Sequence, residues 1–173
     1  YIGVEFASMF ANFGSKVTIY EAAPQFLPRE DRDIADAIAN ILRDKGVELI
    51  LNANVQSVSS HDGAVQLHMP EGAQTVDALL VASGRKPATE NLQLQKAGVD
   101  VNDRGAIVVN KYLRTSADNI WAMGDVTGGL QFTYISLDDF RIVRDNLLGE
   151  GGRHTGDRQN IPYSVFMTPP LSR

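Results

Sequence analysis

A glycine and a carboxylate bracket the first stretch of this chain, YIGVEFASMFANFGSKVTIYE. Gly3 stands at the mouth of an apolar segment. Val4, Ala7, Met9, Phe10, Ala11 and Phe13 leave it little polar surface, the pattern of a helix packed between a sheet and other elements. Gly14 stops the helix. Lys16–Tyr20, with β-branched Val17 and Ile19, then reads as a buried strand that ends on Glu21. Helix, Gly turn, strand and terminal acid make the second half of a βαβ dinucleotide-binding unit. Gly3 takes the place of the last glycine of G-x-G-x-x-G. Glu21 follows at roughly the 20-residue separation at which a carboxylate accepts hydrogen bonds from a ribose 2′-OH. The first two glycines and the strand before them would precede residue 1, so the sequence reads as an excerpt of a larger protein. An amphipathic helix that merely follows a glycine is the alternative.

Other candidate residues sit at element ends. Gly84 and Arg85 follow an apolar run, Ala78–Ala82. Asp125 follows the apolar stretch Ile120–Met123 in MGDV. Gly84-Arg85 is also ordinary turn chemistry, and Asp125 also fits a helix cap. His61, His68 and His154 have no Asp, Glu or Cys at ligand spacing, so no metal site is expected and they read as surface residues. No Ser-His-Asp set or paired carboxylates stand out.

The elements that would hold these residues follow in order. AAPQFLPRED reads as a loop. A helix is expected over 31–45, with Ile34, Ala35, Ile38, Ile41 and Leu42 at helical spacing. Glu30, Asp31 and Asp33 at its start complement the helix dipole. Val47–Leu51 is a short buried strand. Val55–Ser59, Val65–Met69 and Thr75–Val76 form an antiparallel meander with Gly in each connection. Ala78–Ala82 returns as a buried parallel strand. Residues 88–106 are loop-rich, with a helical turn near Leu92–Ala97. Ala106–Val109 and Ile120–Met123 read as strands. A helix spans about Phe132–Leu148, Gly149–Asn160 is a polar linker, and Ile161–Met167 starts another strand. The expected fold class is α/β, a Rossmann-like three-layer FAD/NAD(P)-binding domain with an inserted antiparallel meander, plus a short segment that closes a flavin domain.

Composition narrows the function classes. Hydrophobic residues make up 43% and charged residues 21%, ordinary globular values. A net charge of −5 argues against nucleic-acid binding. No apolar run approaches the roughly 20 residues of a membrane span. The chain has no cysteine, which fits a cytoplasmic setting and puts any thiol chemistry outside this stretch.

The motifs coincide in order with one family. YIGVEFA, VDALLVASGRKP, TSADNIWAMGDV and IPYSVFMTPPLSR together resemble the flavin-dependent pyridine nucleotide–disulfide oxidoreductases, the group of dihydrolipoamide dehydrogenase, glutathione reductase and mercuric reductase. GGLQFTYISLDDFRIVRD is similar to the bacterial reactive chlorine resistance branch. The resemblance implies an NAD-binding domain over 1–87, a return to the FAD-binding domain over 88–150, and a linker with the start of a dimerisation domain over 151–173. It implies that Ile2 and Gly3 line the pyrophosphate and nicotinamide side, that Tyr1 shields the flavin ring, and that Glu5 pairs with a lysine outside the chain. It implies that Glu21 holds the adenosine ribose, Val55 touches the adenine side, and Gly84 lets the backbone approach the nicotinamide. Asp125 would accept from the flavin ribityl chain. Gln131, Phe132, Thr133 and Tyr134 would meet the flavin ring, although relatives carry Leu-Ala-His where Phe132-Thr133-Tyr134 stands here.

The implied activity is hydride transfer from NADH to FAD and on to a disulfide or other small-molecule acceptor. The implied state is a homodimer, with the redox cysteines upstream and a catalytic His-Glu pair downstream. The segment alone should be inactive. NADH is expected over NADPH, because Glu21 is followed by Ala22, Ala23, Pro24 and Gln25 rather than a cation. A non-catalytic regulatory module, or a related ferredoxin reductase or monooxygenase, are the alternatives.

Overall fold

The computed structural model describes residues 1–173, which divide into two compact units, Tyr1–Ser83 with Pro162–Arg173, and Gly84–Ile161.

In the first unit, helix α1 (Ile2–Asn12) leads to strand β1 (Thr18–Tyr20). Helix α2 (Arg32–Asp44) then crosses to strand β2 (Glu48–Ile50). β1 and β2 pair in parallel, Thr18 opposite Glu48 and Tyr20 opposite Ile50. A parallel pair requires such a crossover. The spacing of α2 dictates its packing: Ala35, Ile38, Ala39 and Leu42 are buried along one face, and Ile38, Ala39 and Leu42 meet Val4, Phe26 and Val47 in a single cluster. The meander forms as expected, with β3 (Ser57–His61), β4 (Ala64–Met69) and β5 (Gly72–Val76) in one antiparallel sheet.

A hairpin of β6 (Ser164–Val165) and β7 (Leu171–Ser172) completes this unit. Of the expected strand Ile161–Met167, Ser164–Val165 forms the strand and Tyr163 exchanges backbone hydrogen bonds with Arg173 beside it. Val165 and Met167 enter the core. The backbone of the hairpin is fastened to α1, where the Phe166 N–H donates to Glu5 (2.8 Å) and the Thr168 N–H to Ser8 (3.2 Å).

Two expectations for this unit fail. Ala78–Ala82 forms no strand, because no neighbouring segment offers it a ladder, and Leu80 and Val81 stay exposed. Apolarity predicted burial, but pairing needs a partner. Helix α1 is not enclosed on all sides either. It buries Val4, Ala7 and Ser8, while Phe6, Phe10 and Phe13 are exposed and contact one another ring to ring.

The second unit is mostly irregular. It contains 3-10 turns at Leu94–Ala97, Gly124–Thr127 and Thr155–Asp157, and helix α3 (Thr133–Leu148). Ala106–Val109 and Ile120–Met123 contribute only isolated bridges, Val101 to Ile107 and Arg114 to Trp121. Asx turns at Asn102 and Asn110 curl the chain beside them, so the ladders stop after one pair. Val99, Ile107 and Ala122 form one small core, and Leu113, Ile142 and Val143 another.

The stretch 149–160 is not a loose linker. The Thr155 N–H donates to the Lys111 carbonyl, and Asn146 donates to the Arg153 carbonyl. Arg158 is ion-paired to Asp138 and Asp139. No helix is long and apolar enough to cross a membrane.

Candidate functional site

In the first unit the predicted residues gather at the start of α1 and the end of β1. Tyr1 is the N-cap, and the Glu5 N–H makes the first helical bond, to the Tyr1 carbonyl. The N–H groups of Ile2, Gly3 and Val4 therefore have no partner inside the helix, the arrangement that receives anionic oxygens. A methyl at Gly3 would stand 3.5 Å from the Ala82 Cβ, an ordinary contact. The helix lies close to this segment without requiring glycine for that contact.

At the end of β1, Glu21 Oε1 accepts from the Ala23 N–H at 2.9 Å, which fixes the carboxylate at the strand terminus. The Glu21 backbone carries the chain from the sheet into the loop, its N–H donating to Ile50 and its carbonyl accepting from Ala53. Val55 is exposed before the meander. Glu5, expected to face a lysine, here accepts the Phe166 N–H.

Glu30 has a role that the sequence did not suggest. It is not a solvated complement to the α2 dipole. It is buried, and Oε1 accepts from the hydroxyls of Tyr1 and Tyr163 while Oε2 accepts from Arg173. Arg173 also reaches Asp31. Burial by itself would raise the Glu30 carboxyl, but hydrogen bonds from Tyr1, Tyr163 and Arg173 outweigh it and hold it below the usual carboxylate range. Burial and the same carboxylate push the Tyr1 phenol upward. The Tyr1 ring is thereby held against Tyr163, centroids 5.6 Å apart. Nothing in the spacing around Glu30 marks it.

The second unit carries an open cleft of about 430 Å³, lined by Arg85, Met123, Gly124, Asp125, Gln131, Thr133 and Ser136. Asp125 does not cap the turn it belongs to. Its carboxylate faces Arg85 at 3.0 Å, both side chains part-exposed. Two glycines set the turn. Gly124 has φ +75, and a Cβ there would meet the Ser136 Oγ at 3.0 Å. Gly128 has φ +72, and a Cβ there would come within 2.7 Å of the Ala106 Cβ. Gln131 and Thr133 bring the start of α3 to the cleft, where the Phe132 carbonyl accepts from the Ile135 and Ser136 N–H groups. The Phe132 and Tyr134 rings stack on each other at 5.5 Å. Gly84 has φ +140 with open space where a Cβ would stand.

Asp139 also escaped notice. It is buried, accepts from the Gly124 N–H at 2.7 Å, and is paired with Arg158. Its place on the buried stripe of α3 between Ile135 and Ile142 was the available signal. Of the histidines, His61 is exposed, His68 lies 2.9 Å from Ser59 Oγ, and His154 is half-buried with its ring edge-on to Tyr112.

A family model described as pyridine nucleotide-disulphide oxidoreductase matches residues 1–139. The chain belongs to that family. It is 73% identical, over 100% of its length and 39% of the relative, to the probable pyridine nucleotide-disulfide oxidoreductase RclA of Escherichia coli (strain K12). It is 35% identical to a mercuric reductase of Staphylococcus aureus, over 99% of this chain and 32% of that one. The solved structure of the HOCl-induced flavoprotein disulfide reductase RclA from Escherichia coli matches with TM-score 0.95 at 73% identity, over 99% of this chain and 40% of that one. LpdA from Mycobacterium tuberculosis matches with TM-score 0.89 at 29% identity, over 99% and 37%. The fold is the mixed α/β, Rossmann-like fold of these flavoprotein reductases. The chain spans about two fifths or less of the length of these pyridine nucleotide-disulphide oxidoreductases.

Proposed function

We propose that this chain is the nicotinamide-dinucleotide-binding part, with a portion of the flavin-binding domain, of a cytoplasmic homodimeric oxidoreductase of the disulfide reductase type. The whole protein passes hydride from NADH to FAD and onward to a disulfide or another small-molecule acceptor. The observation that carries the reading is Asp125, a carboxylate turned into an open cleft at the start of α3. A module that binds only a dinucleotide has no use for that second acceptor.

The residues fit both cofactors. Asp125 is held only by a half-exposed arginine that can turn aside, so its oxygens suit the hydroxyls of a ribityl chain. Gln131 and Thr133, with stacked Phe132 and Tyr134 beside them, would border the flavin ring. The start of α1 at Ile2 and Gly3 suits a pyrophosphate, and Glu21 suits a ribose diol. Tyr1 would shield the flavin ring, Glu5 would pair with a lysine beside it, Val55 would touch the adenine side, and Gly84 would let its backbone approach a nicotinamide. When bound, the nicotinamide and flavin rings supply the redox chemistry, and this chain supplies position and hydrogen bonds.

The test is made on the full-length protein. It should be yellow as purified and bleach on NADH addition without oxygen. Asp125→Ala should lower flavin absorbance per protein after gel filtration, since a ribityl hydroxyl loses a charged acceptor. A colourless wild type, or an unchanged ratio in the variant, sinks the reading.

A further inference from the structure

We propose that Asp139 and Arg158 are positioning residues that fix the orientation of Asp125 and, through it, set the affinity of the full-length protein for FAD. This rests on the reading of Asp125 as a flavin ligand. Gly124, the residue before Asp125, has left-handed φ and presents its N–H to Asp139 Oδ2 at 2.7 Å. Ser136 fills the space beside its Cα. Thr127 Oγ1 donates to the Gly124 carbonyl at 2.9 Å, and the Gly128 N–H to the Asp125 carbonyl at 3.0 Å, closing the turn. The turn is therefore held from α3 by one side-chain acceptor, and Asp125 points into the cleft as a consequence.

The Asp139 side chain is 3% exposed, so its charge requires a partner. Arg158 supplies it from the segment after α3. One nitrogen of its guanidinium reaches Asp139, and Nε donates to Asp138 Oδ2 at 2.7 Å. Asp138 also accepts from Arg153 at 3.2 Å. Two adjacent carboxylates engage the guanidinium at two points, a geometry that a lysine reproduces only in part. A line of contacts thus runs from residues 153–158 through Asp139 and the Gly124 N–H to the cleft. Burial of two full charges is an expensive way to stabilise a helix, since a well-packed apolar group would serve as well. A carboxylate is the side chain that accepts the Gly124 N–H with strength.

The experiment measures FAD dissociation constants for the full-length apoprotein by flavin fluorescence, together with the visible absorption spectrum of the bound flavin. Asp139→Ala and Arg158→Gln should each raise the constant about tenfold, the equivalent of one charge-assisted hydrogen bond. Both should also alter the bound flavin spectrum, and Arg158→Lys should restore part of the affinity. The deciding measurement is the double variant. In an Asp125→Ala background, Asp139→Ala should change the constant less than about twofold, because the group it positions is gone. Where Asp139→Ala fails to fold, Arg158→Gln in both backgrounds carries the same test. Full additivity in the double variant, or wild-type affinity in Arg158→Gln beside a weakened Asp125→Ala, overturns the positioning role alone. Wild-type protein without flavin, or undiminished affinity in Asp125→Ala, overturns the reading of Asp125 and the positioning role with it.

Discussion

Single carboxylates divide the work of this chain by their surroundings. Glu21 is half-exposed at a strand end, with one oxygen committed to a backbone N–H and the other available. Asp125 faces a cleft, and Asp139 and Glu30 are buried and fully engaged. A negative charge at Glu21 opposes a 2′-phosphate and accepts from a ribose diol, so NADH should be preferred over NADPH. The preference is expected to be about ten- to a hundredfold in kcat/KM, from 1–3 kcal/mol for one charged hydrogen bond. Glu21→Ala combined with Ala22→Arg should move the full-length enzyme toward NADPH. Steady-state kcat/KM with both cofactors and a dye acceptor checks it. A wild type that already favours NADPH would remove Glu21 from the ribose.

Elements are held together by those residues, and two of them give separate predictions. The β6–β7 hairpin is tied to α1 through Glu30, whose partners are Tyr1, Tyr163 and Arg173. Glu30→Gln should cost about 1–3 kcal/mol at pH 7, the loss of charged hydrogen bonds moderated by the half-exposed arginine. The folded carboxyl lies below its unfolded value, so its stabilisation is complete above about pH 4.3 and is lost as pH falls through the depressed folded value. The gap between wild type and Glu30→Gln should therefore narrow in acid. Hydrogen exchange at the Tyr163 and Arg173 amides, which pair across the hairpin, reports it directly. A gap that widens below pH 4 would contradict the assignment. In the cleft turn, Gly124→Ala should cost about 1–2 kcal/mol for the left-handed backbone and crowd Ser136. Lowered melting temperature together with lowered flavin content is the expected result.

At the scale of the whole molecule, each unit leaves apolar surface uncovered. In the first, exposed Leu80 and Val81 lie on a segment without ladder partners whose apolar run has the pattern of a central strand. Unpaired backbone beside apolar side chains invites pairing with another chain. The 173-residue chain produced alone should accordingly associate and show no NADH oxidation. Leu80→Lys with Val81→Lys should return its sedimentation mass toward the 18.9 kDa of a monomer. Unchanged association would place the contact elsewhere, with the exposed phenylalanines of α1 the next surface to alter.

Local pattern was sufficient wherever a residue answers to its near neighbours. The period of Ile34, Ala35, Ile38 and Leu42 is the helix α2 and its buried face, because helical geometry alone brings those side chains together. Glycines between short β stretches determined the meander, and the alternation of strand, helix and strand determined the fold class. Glu21 and Asp125 were legible as candidates because their positions at element ends are themselves sequence features. Tertiary structure decided what depends on distant partners. Ala78–Ala82 has the composition of a strand, but hydrogen bonding requires a neighbour that composition cannot supply. Gly149–Asn160 has the composition of a linker, yet Arg158 within it meets carboxylates on α3. Glu30 resembles any acid before a helix until residues from both ends of the chain converge on it. Charge in a sequence says only that a partner is needed when the group is buried, and the fold alone chooses that partner.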